Sequence, residues 1–129
     1  DSGICVPVLG GAPGIYSARY AGEHGNDAAN NTKLLADLKP LRKEGEVIEG
    51  MFVCVLALVQ HAEDPLPQIF QGIWTGELMD AARGENGFGY DPLFWLPELN
   101  VSSAELSKEE KNKISHRGQA MKLFKDSLK

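Results

Sequence analysis

The sequence lacks several features that would place it in a specialised class of protein. It has only 2 cysteines in 129 residues, and neither Cys5 nor Cys54 shows the paired spacing of a zinc site or a disulfide framework. Its longest apolar run, residues 51–59, is far shorter than the roughly 20 residues of a membrane-spanning helix. We therefore expect two buried, reduced thiols, no membrane span, no signal peptide and a cytoplasmic location.

An excess of basic residues is also missing. There are 13 Lys and Arg against 18 Asp and Glu, a formal net charge of −5 at pH 7, so a long phosphodiester backbone would be repelled. No G-x-x-x-x-G-K-[ST] loop is present, which excludes P-loop ATPases and GTPases as far as this segment extends. We expect no nucleic acid partner, although a divalent cation and a few local cations can still attract a small phosphorylated ligand.

What is present predicts a single α/β domain over residues 1–129. With 43% apolar residues, the chain is long enough to bury about two-thirds of its unfolded surface. Leucines at helical spacing predict a helix over residues 26–41 that begins at Asn26 or Asp27. The run 51–59 predicts a central strand, followed by an antiparallel return over residues 69–79, and we expect helices on both faces of this sheet.

Shorter elements are predicted around this hairpin. The alternation from Ile4 to Val8, with Pro7 inside it, predicts a short edge strand before the glycine-rich turn at residues 10–14. Two serines are each followed three residues later by a glutamate, a pattern typical of a capping box; these pairs are Ser102 with Glu105 and Ser107 with Glu110. A short helix is therefore predicted after Ser107, and an amphipathic helix over residues 115–128.

The loop at residues 87–92, Gly-Phe-Gly-Tyr-Asp-Pro, has an aromatic residue between two glycines. The backbone can therefore expose the ring of Phe88 for stacking on a flat ligand such as a purine, while Asp91 is held in front of a rigid proline. The same pattern occurs in tight loops whose ring fills the core. Both interpretations stay open on the sequence alone.

Polar groups at the start of two predicted elements form further candidate sites. Residues 115–118, Ser-His-Arg-Gly, stand at a helix start, where backbone N–H groups, an imidazole and a guanidinium can meet carbonyl oxygens of a base. Asp1 and Ser2 offer a carboxylate and a hydroxyl at the head of the first strand, suited to binding a metal or orienting a water. A solvated helix start and a solvated acidic residue explain the same residues.

Four motifs stand in order along the chain. They are Asp-Ser-Gly at residues 1–3, Gly-Gly-Ala-Pro-Gly-Ile-Tyr-Ser-Ala-Arg-Tyr at 10–20, Phe-Gly-Tyr-Asp-Pro at 88–92 and Ser-His-Arg-Gly at 115–118. With them the chain resembles the inosine/xanthosine triphosphate pyrophosphatase family, also called the Ham1 type. The resemblance implies an elongated mixed β-sheet flanked by helices, a homodimer, and Mg²⁺-dependent hydrolysis of ITP, dITP and XTP to the monophosphate and pyrophosphate, which cleanses the nucleotide pool.

The resemblance also implies roles for individual residues. Asp1 matches the family's catalytic base and Mg²⁺ ligand, Ser2 a substrate-contacting serine, and Phe88 the ring that stacks on the purine. The other residues at substrate-binding positions are Gly89, Tyr90, Asp91, Lys111, His116 and Arg117, the last two matching the pair that reads the base. Donors at such positions suit the 6-keto oxygen of hypoxanthine and xanthine, whereas adenine would leave them unpaired.

The chain opens at Asp1 without an initiator Met, and the family's first strand-loop-helix segment, with its T-x-N-x-x-K-like phosphate grip, is not in this sequence. We therefore expect the carboxy-terminal part of such an enzyme, with triphosphate binding in doubt and a tendency to aggregate unless a partner chain stabilises it. Two alternatives stay open. One is an inactive purine-binding or interaction module, and the other is a Maf-like pyrophosphatase for modified pyrimidine nucleotides, against which His116 and Arg117 argue.

Overall fold

A computed structural model describes residues 1–128 of the chain. Five strands form one sheet in chain order: β1 (Ser2–Cys5), β2 (Ile48–Leu58), β3 (Gln68–Leu78), β4 (Phe94–Leu96) and β5 (Val101–Ser102). Three α-helices accompany them: α1 (Asp27–Leu38), α2 (Lys108–Ile114) and α3 (His116–Ser127). The α/β class is confirmed. All pairings between these strands are antiparallel, so the expected mixed sheet is corrected: neighbouring strands follow each other in the chain without the crossover that parallel pairing needs.

The long hairpin of β2 and β3 forms the centre of the sheet. Its strands have 11 residues each and pair in continuous register from Ile48 opposite Leu78, which confirms the predicted antiparallel return. β1 pairs with the other edge of β2 and ends earlier than predicted, because a 3₁₀ turn follows at Pro7–Leu9. Cys54 is buried as expected, whereas Cys5, on the edge strand, is only half buried.

Burial alternates along β2 and shows which face of the sheet is covered. Phe52 is buried, whereas Met51, Val53 and Val55 are only half buried. The core on the Phe52 side includes residues from the sheet and from α1, among them Ile4, Leu34, Leu38, Trp74 and Phe94. The expectation of helices on both faces is therefore wrong for residues 1–128: the core lies on one face, and the apolar side chains of the other face stay half exposed.

Helix α1 is fixed to the segment that precedes it. The side chain of Asn26 caps its first turn, which settles the predicted choice of helix start. The buried side chain of Asn30 accepts a hydrogen bond from the N–H of Ala21 at 2.8 Å and donates one to the carbonyl of Ala18 at 3.1 Å. Leu34, one turn later, is fully buried. Packing and hydrogen bonds together hold the first half of α1 in place.

Both predicted capping boxes form. Ser102 and Glu105 enclose the 3₁₀ turn Ser103–Glu105, and Ser107 with Glu110 begins α2. Each pair satisfies backbone N–H groups that the turn itself leaves unpaired. The helices are short, and none within residues 1–128 is long and apolar enough to cross a membrane.

Helix α3 lies very close to both β3 and α2. A Cβ added at Gly72 would stand 1.9 Å from the carbonyl oxygen of His116, and one added at Gly118 would stand 1.9 Å from that of Asn112. Only glycine permits such approaches of one backbone to another. Ser115, as the N-cap of α3, accepts a hydrogen bond from the N–H of Gly118 at 3.1 Å. The start of α3 is thus fixed between the sheet and α2.

Candidate functional site

Phe88 lies at the edge of a cleft that α2 and the start of α3 form with its loop. The cleft has a volume of about 690 Å³, and its lining includes Lys111, Ser115 and Arg117. Phe88 is 54% exposed and itself lines the cleft. Of the two interpretations that the sequence allows, the structure supports a ring that faces the cleft and does not fill the core.

Two cations flank this ring. The Nζ atom of Lys111 lies 4.4 Å from the ring centroid, and the guanidinium carbon of Arg117 lies 4.8 Å from it, both within cation–π range. The close approach of α2 and α3 at Gly118 brings the two cations to the same ring. An exposed aromatic ring with two cations beside it suits a flat ligand that carries negative charge.

Asp91 supports the loop from inside the protein. It is 1% exposed, and its carboxylate accepts hydrogen bonds from the N–H of Phe88 at 3.0 Å, the ammonium of Lys111 at 2.5 Å and the hydroxyl of Ser103 at 2.7 Å. A Cβ at Gly87 would lie 2.2 Å from the same carboxylate, and the φ of this residue is +76°, so the loop needs glycine there. Protein donors occupy both oxygens of Asp91, which places this predicted ligand residue under the loop.

Gly89 and Tyr90 are also held by protein partners. Tyr90 is 4% exposed and its hydroxyl donates to the carbonyl of Ser17 at 2.6 Å; burial raises the pKa of this phenol well above its ordinary value. The N–H of Gly89 donates to Asp27 at 2.9 Å, and its carbonyl accepts from Asn31 at 3.0 Å. Of the loop side chains predicted to bind substrate, only the aromatic ring described above faces the cleft.

His116 and Arg117 are consecutive but contact different parts of the molecule. Arg117 lies over Phe88 in the cleft. His116 is 4% exposed, its ring stacks on Phe52 with centroids 4.8 Å apart, and its Nε2 lies 2.9 Å from the hydroxyl oxygen of Ser2. The structure thus brings Arg117 to the predicted stacking ring, and it joins His116 to the head of β1 instead.

Burial and neighbouring cations keep the ring of His116 neutral. Desolvation first, and then the charges of Arg117 and Lys111, lower its pKa from 6.5 to about 4. Its Nδ1 is buried and has no hydrogen-bond partner within residues 1–128. The ring therefore offers no positive charge to a ligand at neutral pH, and its paired nitrogen is directed at Ser2.

Asp1 is exposed at the head of β1. Its Oδ1 accepts a hydrogen bond from the backbone N–H of Ser2 at 2.9 Å. In the part of the chain that the structure describes, no group of three or more His, Cys, Asp or Glu is arranged to hold a metal ion. Asp1 thus offers one exposed carboxylate at the head of β1.

Four residues that support the loop were not predicted to do so from the sequence: Ser17, Asp27, Asn31 and Ser103. Ser17 lies 73 positions from its partner in the loop, Asp27 lies 62 and Asn31 lies 58. Ser17 stands out only as part of the motif at residues 10–20, and Asp27 only as a candidate helix start. Hydrogen bonds across such separations leave no local pattern from which they could have been found.

Comparison with known proteins places these residues in a family. The sequence profile of the Ham1 family matches residues 1–127. A protein of Acinetobacter baumannii named dITP/XTP pyrophosphatase is 88% identical over 128 residues, and one of the same name from Pseudomonas aeruginosa is 59% identical over 130 residues. Each alignment covers 99% of this chain but only 62% and 64% of those proteins, so the chain spans less than two-thirds of their length.

Solved structures show the same fold. The HAM1 protein of Coxiella burnetii superposes with a TM-score of 0.92 at 43% identity, and the Ham1 protein of Staphylococcus aureus with 0.87 at 46%. Both comparisons cover 99% of this chain and 64% of the other. The likeness therefore includes the sheet, the three helices and the loop of Phe88.

Proposed function

This chain belongs to the Ham1 family, and on that premise we propose that it serves in the hydrolysis of the non-standard purine nucleoside triphosphates ITP, dITP and XTP to the monophosphate and pyrophosphate. The observation that carries the proposal is the exposed ring of Phe88 in a cleft beside Lys111 and Arg117. A relative that is 88% identical is named dITP/XTP pyrophosphatase. Because the chain spans 62% of that relative, the complete activity is assigned here only as a proposal.

In this proposal, the purine stacks on Phe88 and hydrogen-bond donors read its edge. Stacking of a base on an aromatic side chain contributes about 1–3 kcal/mol. The N–H groups of the Arg117 guanidinium are donors at the cleft, and they suit the 6-keto oxygen of hypoxanthine or xanthine. Adenine carries an amino group there and leaves them unpaired, which can discriminate by about 10⁴-fold.

The reacting end of the proposed site is at Asp1 and Ser2. The carboxylate of Asp1 orients a water whose oxygen forms a bond to the α-phosphorus. The proton of that water passes to Asp1, and the bond from the α-phosphorus to the oxygen of the leaving pyrophosphate breaks. When bound, a divalent cation such as Mg²⁺, with Asp1 as its protein ligand, neutralises the phosphate charge. The hydroxyl of Ser2, held by His116 at 2.9 Å, has a fixed direction at this end.

The test is pyrophosphate release from ITP, XTP, dITP, ATP, GTP and a modified pyrimidine nucleoside triphosphate, with and without Mg²⁺, together with nucleotide binding by calorimetry. It uses this chain and a version extended at its amino terminus with the corresponding segment of the Acinetobacter relative. Metal-dependent release from inosine and xanthosine nucleotides only is the expected result. In the active form, Asp1→Asn removes most turnover and leaves the unfolding midpoint unchanged.

Other outcomes separate the alternatives. Inosine nucleotide binding without pyrophosphate release in either form identifies a purine-binding module. Release from modified pyrimidine nucleotides alone identifies a Maf-like activity. If purine nucleotides are neither bound nor cleaved, the proposed function is overturned.

We also propose that residues 1–129 form one domain, that the chain pairs as a homodimer, and that it acts in the cytoplasm on small nucleotides, without a nucleic acid or membrane partner. A single cluster of buried apolar residues, which extends from Ile4 to Leu106, supports one domain. Light scattering then gives twice the chain mass of 14.0 kDa. A stable monomer contradicts the dimer and the expected need for a partner chain.

A further inference from the structure

Helix α1 holds both backbone polar groups of Gly89. The carboxylate of Asp27 accepts the N–H of Gly89 at 2.9 Å, and the side-chain amide of Asn31 donates to its carbonyl at 3.0 Å. Asp27 and Asn31 are four residues apart, so they lie on the same face of the helix. This pair therefore forms a clamp on the residue that directly follows Phe88.

The clamp extends from a well-anchored part of α1. Asn30, between the two clamp residues, is itself buried and hydrogen-bonded through both ends of its amide to the segment before the helix. Leu34 and Leu38 are fully buried in the core. Because the helix cannot shift without breaking these contacts, the position of Gly89 is fixed relative to the core.

The ring of Phe88 depends on its backbone for its placement. Asp91 accepts the N–H of Phe88 at 3.0 Å, and the clamp holds the next residue. Phe88 is 54% exposed, and the cations of Lys111 and Arg117 lie over its ring. Where core packing does not fix a ring, the backbone on either side of it must do so.

The amide of Asn31 adds a second observation. Its nitrogen is used on Gly89, while its Oδ1 is buried and has no hydrogen-bond partner within residues 1–128. A buried acceptor without a hydrogen bond lowers the stability of the fold. If only stability mattered at position 31, a side chain without this unpaired oxygen would be favoured. This cost is consistent with a position occupied for its effect on the loop.

We propose that Asp27 and Asn31 are positioning residues for the substrate base, acting through Gly89 to hold the ring of Phe88 ready for stacking. The inference rests on the proposed function, because it needs a base to stack. A ring held in place before binding loses less conformational freedom when the ligand arrives, and this raises affinity. Neither clamp residue need touch the ligand.

The experiment titrates inosine 5′-monophosphate into the 129-residue chain and measures the dissociation constant by calorimetry. Asp27→Ala removes the acceptor for the N–H of Gly89 and should raise Kd about fivefold, the scale of one lost hydrogen bond. Asp27→Asn keeps an acceptor and should stay within about twofold of the unaltered chain. Thr32→Ala, at an exposed position on the same helix, is the matched control and should leave Kd unchanged.

A double-mutant cycle separates positioning from a general loss of stability. Phe88→Ala weakens binding, and in that background Asp27→Ala should add nothing, because the ring it positions is gone. If Asp27→Ala weakens binding equally in both backgrounds, the inference is overturned. It is also overturned if Asp27→Ala leaves Kd unchanged while Phe88→Ala clearly raises it, and in that case the proposed stacking still stands. No binding by the unaltered chain overturns stacking and positioning together. Asn31→Ala breaks the clamp independently and replaces Asp27→Ala if that variant does not fold.

Discussion

The hydroxyl oxygen of Ser2 lies 2.9 Å from Nε2 of His116, a residue 114 positions later in the chain. This hydrogen bond joins the head of the first strand to the first turn of the last helix. The next residue in that turn, Arg117, lies over Phe88. One turn of α3 therefore connects the residues proposed for chemistry with those proposed for base recognition.

Ser2→Ala should lower the free energy of unfolding by about 1–3 kcal/mol, because it leaves a buried imidazole with neither ring nitrogen paired. Urea unfolding followed by circular dichroism measures the change. Ser127→Ala, which removes an exposed hydroxyl that donates to the carbonyl of Phe124, is the control and should stay within about 0.5 kcal/mol. Equal effects of the two substitutions would contradict a structural role for the Ser2 bond.

Lowering the pH should reduce the free energy of unfolding, because His116 has a lower pKa in the folded chain than in the unfolded chain. Its pKa is about 4 in the folded chain and 6.5 when unperturbed, so the unfolded chain binds the extra proton between these values. Stability is complete above pH 6.5 and about 3 kcal/mol of it is lost as pH falls to 4. Urea unfolding across this range, compared with His116→Gln, isolates the ring from the carboxylates that titrate in both proteins. Parallel pH curves for the two would sink the assignment.

Lys111→Met should destabilise the chain by about 3–5 kcal/mol, since it removes the cation that balances the buried carboxylate of Asp91. The double variant with Asp91→Asn should regain part of this loss, because no charge is then left uncompensated. Lys108→Met, an exposed position in the same helix, serves as the control. Equilibrium unfolding is the measurement, and a similar loss for both lysines would argue against the buried pair.

Gly72→Ala should push α3 away from β3. The added methyl would lie 1.9 Å from the carbonyl oxygen of His116, and overpacking of this kind costs about 1–3 kcal/mol. Near-ultraviolet circular dichroism should also change, because Trp74 stacks on His116 with ring centroids 6.3 Å apart. Gln71→Ala, exposed on the same strand, should change neither quantity; an unaltered spectrum for Gly72→Ala would show that the helix can yield without cost.

Features encoded within a few residues could be predicted from the sequence. The capping box at Ser107 and Glu110 and the hairpin of β2 and β3 each depend on neighbours in the chain, whereas the sequence left the exposure of Phe88 open. The uncovered face of the sheet was not predicted, because the run 51–59 is apolar at every position and reads the same whether helices cover one face or both. The same limit applies to Cys5, whose exposure follows from its place at the edge of the sheet.

The motifs predict which segments form the proposed site, but not the part that each side chain takes in it. Tyr90, Asp91 and His116 all lie in predicted site motifs, yet the structure buries them and gives them partners from distant segments. Whether a residue in a motif touches a ligand or holds another that does depends on tertiary packing. Asp27, which lies outside all the motifs, is placed by the same packing beside Gly89.

The adjacency of His116 and Arg117 limits how the length of the chain can vary. One residue inserted after His116 would turn the rest of α3 by about 100° relative to the imidazole. The guanidinium would then leave Phe88, while the hydrogen bond to Ser2 stayed in place. Insertions and deletions should therefore be excluded from residues 115–118. They should be tolerated in the exposed turn at residues 59–67, where no helix has to keep two side chains in a fixed angular relation.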